Sequence, residues 1–460
     1  MTIYRQHLNR VVKALIIAIV GLTVTCWPAE SGTSAAELPS LTLDDAINLA
    51  LSQSPLIKSG QAAVTRAEAA ETQAKSGFFP RVDLSESFQR TNNPMWTFGT
   101  KLNQESIKSA DFEPDRLNHP DPVSNFATNL SLRQSIFDRG QSWYGLKQAE
   151  LGLDASKKGM GKTRQEIIYQ TINSYYQLVM AEQTRKIAQE ALISANKHLA
   201  LAESKLKSGL AVKSDVLRAS VHLASLEQEE LTAENRVKLA QSWLSKVLGV
   251  DSSNAINTSS SFDTRPAAPQ NINESMAKAL AARPDYLQLK LMEQATAKGL
   301  EKARADNLPD VSLVGQYELD TDNFDRGGQN YTIAATVSLN LFSGFYQQGK
   351  LAEAKANLMD IQAKRRDLEL AIGHQVKSAA LNLQAAYKRH EVAVRAVDQA
   401  KENLEIAGSR YQAGLITLID LLDAELAYNR SQSNLLNAGY DVSLAKADQS
   451  FAAGGLGNDR

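Results

Sequence analysis

A membrane β-barrel joined to a long α-helical barrel, built by tandem duplication, is the fold class this sequence predicts. Three observations carry it: short segments alternating with period 2, apolar seams of period 3.5 that run for many turns, and the presence of both patterns in each half of the chain. Each half is expected to contribute one pair of strands, hence four strands per protomer.

The first segment is a leader. Arg5, Arg10 and Lys13 precede an apolar run from Ala14 to Thr25, and Ser34-Ala35-Ala36 supplies small residues at a cleavage position, so residues 1–36 read as a signal peptide. The apolar run is shorter than the about 20 helical residues that span a bilayer, which argues against an anchor. Export is the first functional expectation. Cys26, the sole cysteine, is either a lipidation site or part of the discarded leader; Thr25 before it and Thr23 three residues before it are unusual for lipidation. A mature chain starting near Glu37 would carry no disulfide, thiolate nucleophile or cysteine metal ligand. Removing the leader leaves 47 basic and 50 acidic side chains, a balance with no signature of nucleic-acid binding.

The duplication defines the domains. Pro55 and Phe79-Pro80 recur 229 residues on as Pro284 and Leu308-Pro309, whereas Ile136-Phe137-Asp138 and Gly209-Leu210 recur 205 residues on as Leu341-Phe342-Ser343 and Gly414-Leu415. The first repeat, 37–271, therefore carries 24 extra residues, placed in a Pro- and Asn-containing loop between Asn92 and Pro122. The second repeat covers 272–460. In each, two short helical stretches lead to two strands and then to a long helical pair. Strands are expected at about 80–90, 125–137, 310–319 and 330–342. The long helices are expected at about 140–207, 213–247, 345–412 and 417–452, with a linker over 249–271.

No proline falls between Val123 and Arg265 or after Asp310, so long helices need not break there. From Ile372 through Val376, Ala379, Leu383 and Ala386 to Ala407 and Tyr411 the spacing alternates 4 and 3, the mark of a heptad seam. A helix over residues 141–207 would be on the order of 100 Å long. Gly145, Gly152 and Gly159, seven apart, either admit a closely packed neighbour or loosen the helix near the membrane.

In the strands, Phe126, Thr128, Leu130 and Leu132 alternate with Ala127, Asn129, Ser131 and Arg133, and Tyr331, Ile333, Ala335 and Val337 alternate with Thr332, Thr336 and Ser338. One greasy and one wet face suit an outer-membrane strand between lipid and lumen. Four strands cannot close a barrel in lipid, where an open edge leaves backbone groups unsatisfied, so several copies must share one. Two copies would give eight strands and three would give twelve; the pattern does not choose.

The leader, the doubled strand pairs and long helical pairs, and the paired motifs SGLAVKSDVL (Ser208 to Leu217) and AGLITLIDLLDAE (Ala413 to Glu425) resemble the TolC family of outer-membrane efflux proteins. The resemblance covers essentially the whole mature chain. It implies a homotrimer with a twelve-stranded barrel in outer-membrane lipid. A coiled-coil tunnel would extend from it into the periplasm, its tip meeting a periplasmic adaptor bound to an inner-membrane pump. The implied function is passive conduction in efflux or type I secretion. A periplasmic coiled-coil adaptor or spacer without a pore is the rival; it would share the leader and heptads but not the strand pairs.

Such a duct needs no cofactor and no catalytic group, and none is evident: no G-x-S-x-G elbow occurs, and the six histidines show no H-x-x-x-H spacing. Gly209 and Gly414 are suited to positive φ at helix C-termini, where the chain reverses. With Leu210 and Leu415 they form the docking tips that the resemblance turns toward the adaptor. Asp215 and Asp420 lie where a carboxylate favours the start of the returning helix. Asp420 and Asp423, three apart, share a face, and by resemblance they match the acidic rings of the periplasmic entrance. Tyr411, Asp215 and Ser214 fall at the gate of that entrance. Ile416 stands where the family representative has arginine, so closure is expected to depend on Tyr411 and apolar packing more than on salt bridges.

Overall fold

The computed structural model describes residues 41–251, 256–259, 261–266, 271–323 and 327–457. The leader with Cys26, and part of the expected linker over 249–271, lie outside the described residues.

Both halves start with a short helix and a longer one. Helix α1 (Leu43–Gln53) is capped by Thr42, whose hydroxyl accepts from the Asp45 amide, and α2 (Pro55–Lys75) has proline at its first position, where no amide donor is needed. Their counterparts are α7 (Ile272–Ala282), capped by Asn271, and α8 (Pro284–Ala305), again opened by proline. After α2 come β1 (Arg81–Thr91), the short helices α3 (Pro94–Asn103) and α4 (Pro114–Asn118), and β2 (Val123–Phe137). The stretch expected as a loop is thus partly helical: the Asn93 side chain accepts from the Met95 and Trp96 amides, and Pro94 fills the first position of α3.

Strand β3 (Asp310–Thr321) follows α8 and pairs with β4 (Gly327–Ser338). The four strands form one antiparallel sheet in the order β1-β2-β3-β4, so the two repeats meet at β2 and β3. Register puts like with like: Leu84 lies opposite Leu130, which lies opposite Tyr317, which lies opposite Tyr331, while Ser85, Asn129, Glu318 and Asn330 line up on the other face. A one-residue slip would exchange the two faces. Strand β4 stops at Ser338, short of the expected 342, because Ser338 pairs with Asp310, the first residue of β3; Leu339, Leu341 and Phe342 beyond it have no strand to pair with and are exposed.

From the sheet the chain enters each long helix through two residues of positive φ, Arg139-Gly140 before α5 (Gln141–Lys207) and Gly344-Phe345 before α9 (Tyr346–Gln412). Only one residue of each pair is glycine, so Arg139 and Phe345 each hold a left-handed conformation costing about 1 kcal/mol. Helices α5 and α9 both have 67 residues, consistent with duplication, and each folds back on a shorter partner, α6 (Lys213–Leu248) and α10 (Leu418–Ala452). The heptad positions are the buried ones: Ile372, Val376, Ala379, Leu383, Ala386, Ala407 and Tyr411 on α9. A thicker core surrounds the middle of α5, where Ile167, Ile168, Tyr175, Leu178 and Val179 are buried and the Tyr175 hydroxyl donates to the Leu41 carbonyl at 2.8 Å. Of the three spaced glycines, Gly159 meets the Gln288 amide of α8 so closely that a Cβ would lie 2.9 Å from it, whereas Gly152 faces open space. Close packing therefore explains one of them and not the set.

Candidate functional site

Both hairpin tips are built alike. At the end of α5 the Gly209 amide donates to Leu206 and the Leu210 amide to Lys205; at the end of α9 the Gly414 amide donates to Tyr411 and the Leu415 amide to Arg410. These are the two bonds of a Schellman turn, and they require the positive φ of +74° that both glycines have. The turn satisfies the last helical carbonyls and throws the next residue outward. Leu210 and Leu415 are accordingly 77% and 74% exposed, so each tip presents one leucine on a rigid turn.

The aspartates open the returning helices. The Asp420 carboxylate accepts from the Thr417 amide at 2.9 Å and from the Thr417 hydroxyl at 2.7 Å, while Thr417 accepts in turn from the Asp420 amide. This reciprocal cap holds the Asp420 carboxyl below its usual range, through the Thr417 hydroxyl first and the amide second, so it stays ionised into mild acid. On α6 only half of that box exists: the Asp215 carboxylate accepts from the Val212 amide at 3.5 Å, and valine has no hydroxyl to return the bond. Asp423 lies one turn beyond Asp420 on α10 and is exposed, as is Ser214 on α6. Capping thus accounts for Asp215 and Asp420, but not for Asp423.

Tyr411 lies on the inner side of the turn. It is 5% exposed in a cluster with Ala202, Ala219, Leu418, Leu421 and Ala424, drawn from all four long helices, and half-buried Ile416 packs against that cluster. Among the described residues no hydrogen-bond partner reaches its buried hydroxyl. Burial, then the nearby Asp215 charge, pushes the Tyr411 hydroxyl above its usual range and keeps it neutral. Lys205, absent from the sequence expectations, packs here: its ammonium lies 4.5 Å from the centre of the Tyr411 ring and donates to the carbonyls of Tyr411 and Gln412. A lysine on α5 thereby caps the C-terminus of α9 and ties one hairpin to the other. Its position in the last turn of α5 was readable; its reach across 206 residues of sequence was not.

A second group with no signal in the sequence lies farther along the same seam. Glu425 of α10 is 1% exposed, with His198 of α5 and His222 of α6 nearby.

The sequence profile of the family described as "Outer membrane efflux protein" matches residues 46–250 and 276–455, one segment in each repeat. The chain belongs to the outer membrane efflux protein family. It is 27% identical over 423 residues to Protein CyaE of Bordetella pertussis, covering 90% of this chain and 82% of that one. It is 22% identical over 442 residues to Outer membrane protein TolC of Vibrio cholerae, covering 93% of this chain and 94% of that one. Among solved structures, the CmeC outer membrane channel of Campylobacter jejuni superposes with a TM-score of 0.79 at 19% identity, covering 90% of this chain and 85% of that one. The expected fold is therefore the observed one: an outer-membrane efflux protein with a barrel sheet continued by a helical tunnel. Family membership places it in the outer membrane and sets aside the reading as a poreless adaptor. The family is one of channels rather than enzymes.

Proposed function

We propose that three copies of this chain close one barrel and form a passive duct for efflux or type I secretion, fed at its periplasmic tip by an adaptor and an inner-membrane pump. One observation supports this most: β1 and β4 are both outer strands of the sheet, so each leaves one row of backbone donors and acceptors unpaired over 11 and 12 residues respectively. In lipid such an edge is too costly to leave open, and pairing β4 of one copy with β1 of the next removes it. With three copies the sheets sum to twelve strands, enough to surround a pore. Unheated outer-membrane protein is expected to migrate in denaturing gels as a species about three times the mass of the boiled chain, a mass to be checked by light scattering; migration as a monomer without heating would refute the shared barrel.

In this reading the tips carry both contacts and control. Leu210 and Leu415, held outward by their turns at Gly209 and Gly414, are the adaptor-facing knobs. Asp420 and Asp423 line the entrance, and Tyr411, Asp215, Ser214 and Ile416 lie at its gate. Closure depends on the Tyr411 cluster and Lys205, since Ile416 contributes packing and no charge. An Ile416→Arg variant introduces a cation near Asp215 and Asp420. An exposed ion pair contributes about 0.2 to 1 kcal/mol, so single-channel conductance is expected to stay level or fall by up to about fivefold. A rise in conductance would refute this account of closure.

A further inference from the structure

Glu425 is a buried carboxylate to which no described residue makes a hydrogen bond of ordinary length. Its Oε2 lies 3.6 Å from His198 Nε2 and 3.5 Å from His222 Nε2, and the two imidazoles are themselves largely buried. The three residues belong to three helices, α5, α6 and α10. They lie about 10 Å beyond the start of α10, measured at 1.5 Å per residue from Leu418, directly above the Tyr411 cluster. A lone buried carboxylate is costly, and these two rings lie where they can offset it.

We propose that His198, His222 and Glu425 form a proton-sensitive clasp that holds the α5–α6 hairpin against α10 at neutral pH and releases it in acid. Each imidazole can present an Nε2–H to the single carboxylate. The first proton taken up leaves one imidazolium against one carboxylate. A second leaves net positive charge where the two rings are only 18% and 20% exposed, and protonation of Glu425 then removes the last attraction. The surroundings agree in sign. His198 is held below its ordinary range by burial first, with His222 and Lys197 adding to the effect and Glu425 opposing it. Burial pushes Glu425 up, but the side chains of His222 and Ser194 and the charges of both histidines outweigh it, so its range is also lowered. Ser194 Oγ lies 3.2 Å from His198 Nε2 and completes the set. A base whose folded state resists protonation loses stability as pH falls below its unfolded value of about 6.5, and an acid whose range is lowered loses it further down. Release therefore begins near pH 6.5, in a range where the capped Asp420 is still ionised.

The proposal rests on the tips being the entrance only where it concerns conduction, so its test reads the seam itself. In the purified full-length assembly, amide hydrogen exchange over residues 195–225 and 417–428, corrected for the intrinsic pH dependence, is expected to be about tenfold faster at pH 5.0 than at pH 7.5. A proton taken up on opening shifts the opening equilibrium by up to about tenfold for each pH unit over which the open state holds it and the closed state does not. The His198→Gln/His222→Gln variant is expected to lose this difference. Imidazole C2 exchange in the unaltered protein, which needs no variant to fold, is expected to give His198 a midpoint below about 6.5. Corrected exchange that does not change with pH, a difference that survives in the double variant, or a His198 midpoint at or above that value would each overturn the clasp. If exchange responds while conductance does not, the clasp is supported and it is the placement of the entrance at the tips that fails.

Discussion

Replacing Tyr411 by alanine is expected to open the duct, with higher conductance in planar bilayers and no change in the amount of assembled protein. The ring is the one aromatic side chain in a cluster whose other buried members are alanine and leucine, so its removal leaves a cavity that these smaller side chains do not fill without moving. Aromatic-to-alanine changes in packed sites cost about 3 to 5 kcal/mol. Even the lower figure, applied to closure alone, raises the open population by more than about a hundredfold. The loss falls on both hairpins, because the same ring carries the Lys205 ammonium on its face. Tyr411→Phe separates packing from hydrogen bonding. The hydroxyl is buried without a partner among the described residues, so its removal is expected to leave conductance within about twofold of the parent, since deleting an unsatisfied polar group costs little. A phenylalanine variant as open as the alanine one would show that the hydroxyl is held by a bond from another protomer, and the packing account would fail.

The second large effect concerns charge. In a trimer, Asp420 and Asp423 would set six carboxylates around the entrance, and a narrow opening lined by one sign of charge concentrates the opposite ion. Asp420→Ala with Asp423→Ala is expected to reduce the cation-to-anion permeability ratio about tenfold, read from reversal potentials in a salt gradient, and to abolish block by divalent cations, read from single-channel current. Because Asp420 also closes the cap on Thr417, the clean comparison is Asp423→Ala alone, which leaves that cap intact. The single variant is expected to show a smaller loss of the same sign. Unchanged selectivity in the double variant would place the entrance away from these residues. The response to pH is also separable: the lowered range of Asp420 keeps that carboxylate charged where His198 is already titrating.

Much of this architecture was legible in the chain. Period 3.5 set which face of each long helix is buried, and period 2 set which side chains share a face of the sheet. The recurrence of Pro55 as Pro284 and of Gly209 as Gly414 located the duplicated elements, because proline at a helix start and glycine past a helix end answer local backbone needs that are met within a few residues. For the same reason Gly209, Leu210, Gly414 and Leu415 could be named as tips, and Asp215 and Asp420 as helix-opening acids. Other features depended on partners distant in sequence. Strand β4 ends at Ser338 because β3 begins at Asp310, which the pattern of β4 by itself cannot register. Lys205 meets Tyr411, and Glu425 meets His198 and His222, only because two hairpins cross at one height, and a seam's period says which face is buried without saying against what. Duplication hides these sites further, since Leu206 and Ser220 occupy the places in the first repeat that Tyr411 and Glu425 hold in the second. Sequence alone thus determined the elements, their duplication and the shape of each turn, which follow from interactions over one or two helical turns. Tertiary structure alone decided which buried polar groups share a seam, because that depends on the relative placement of helices about 100 Å long, joined only at their ends.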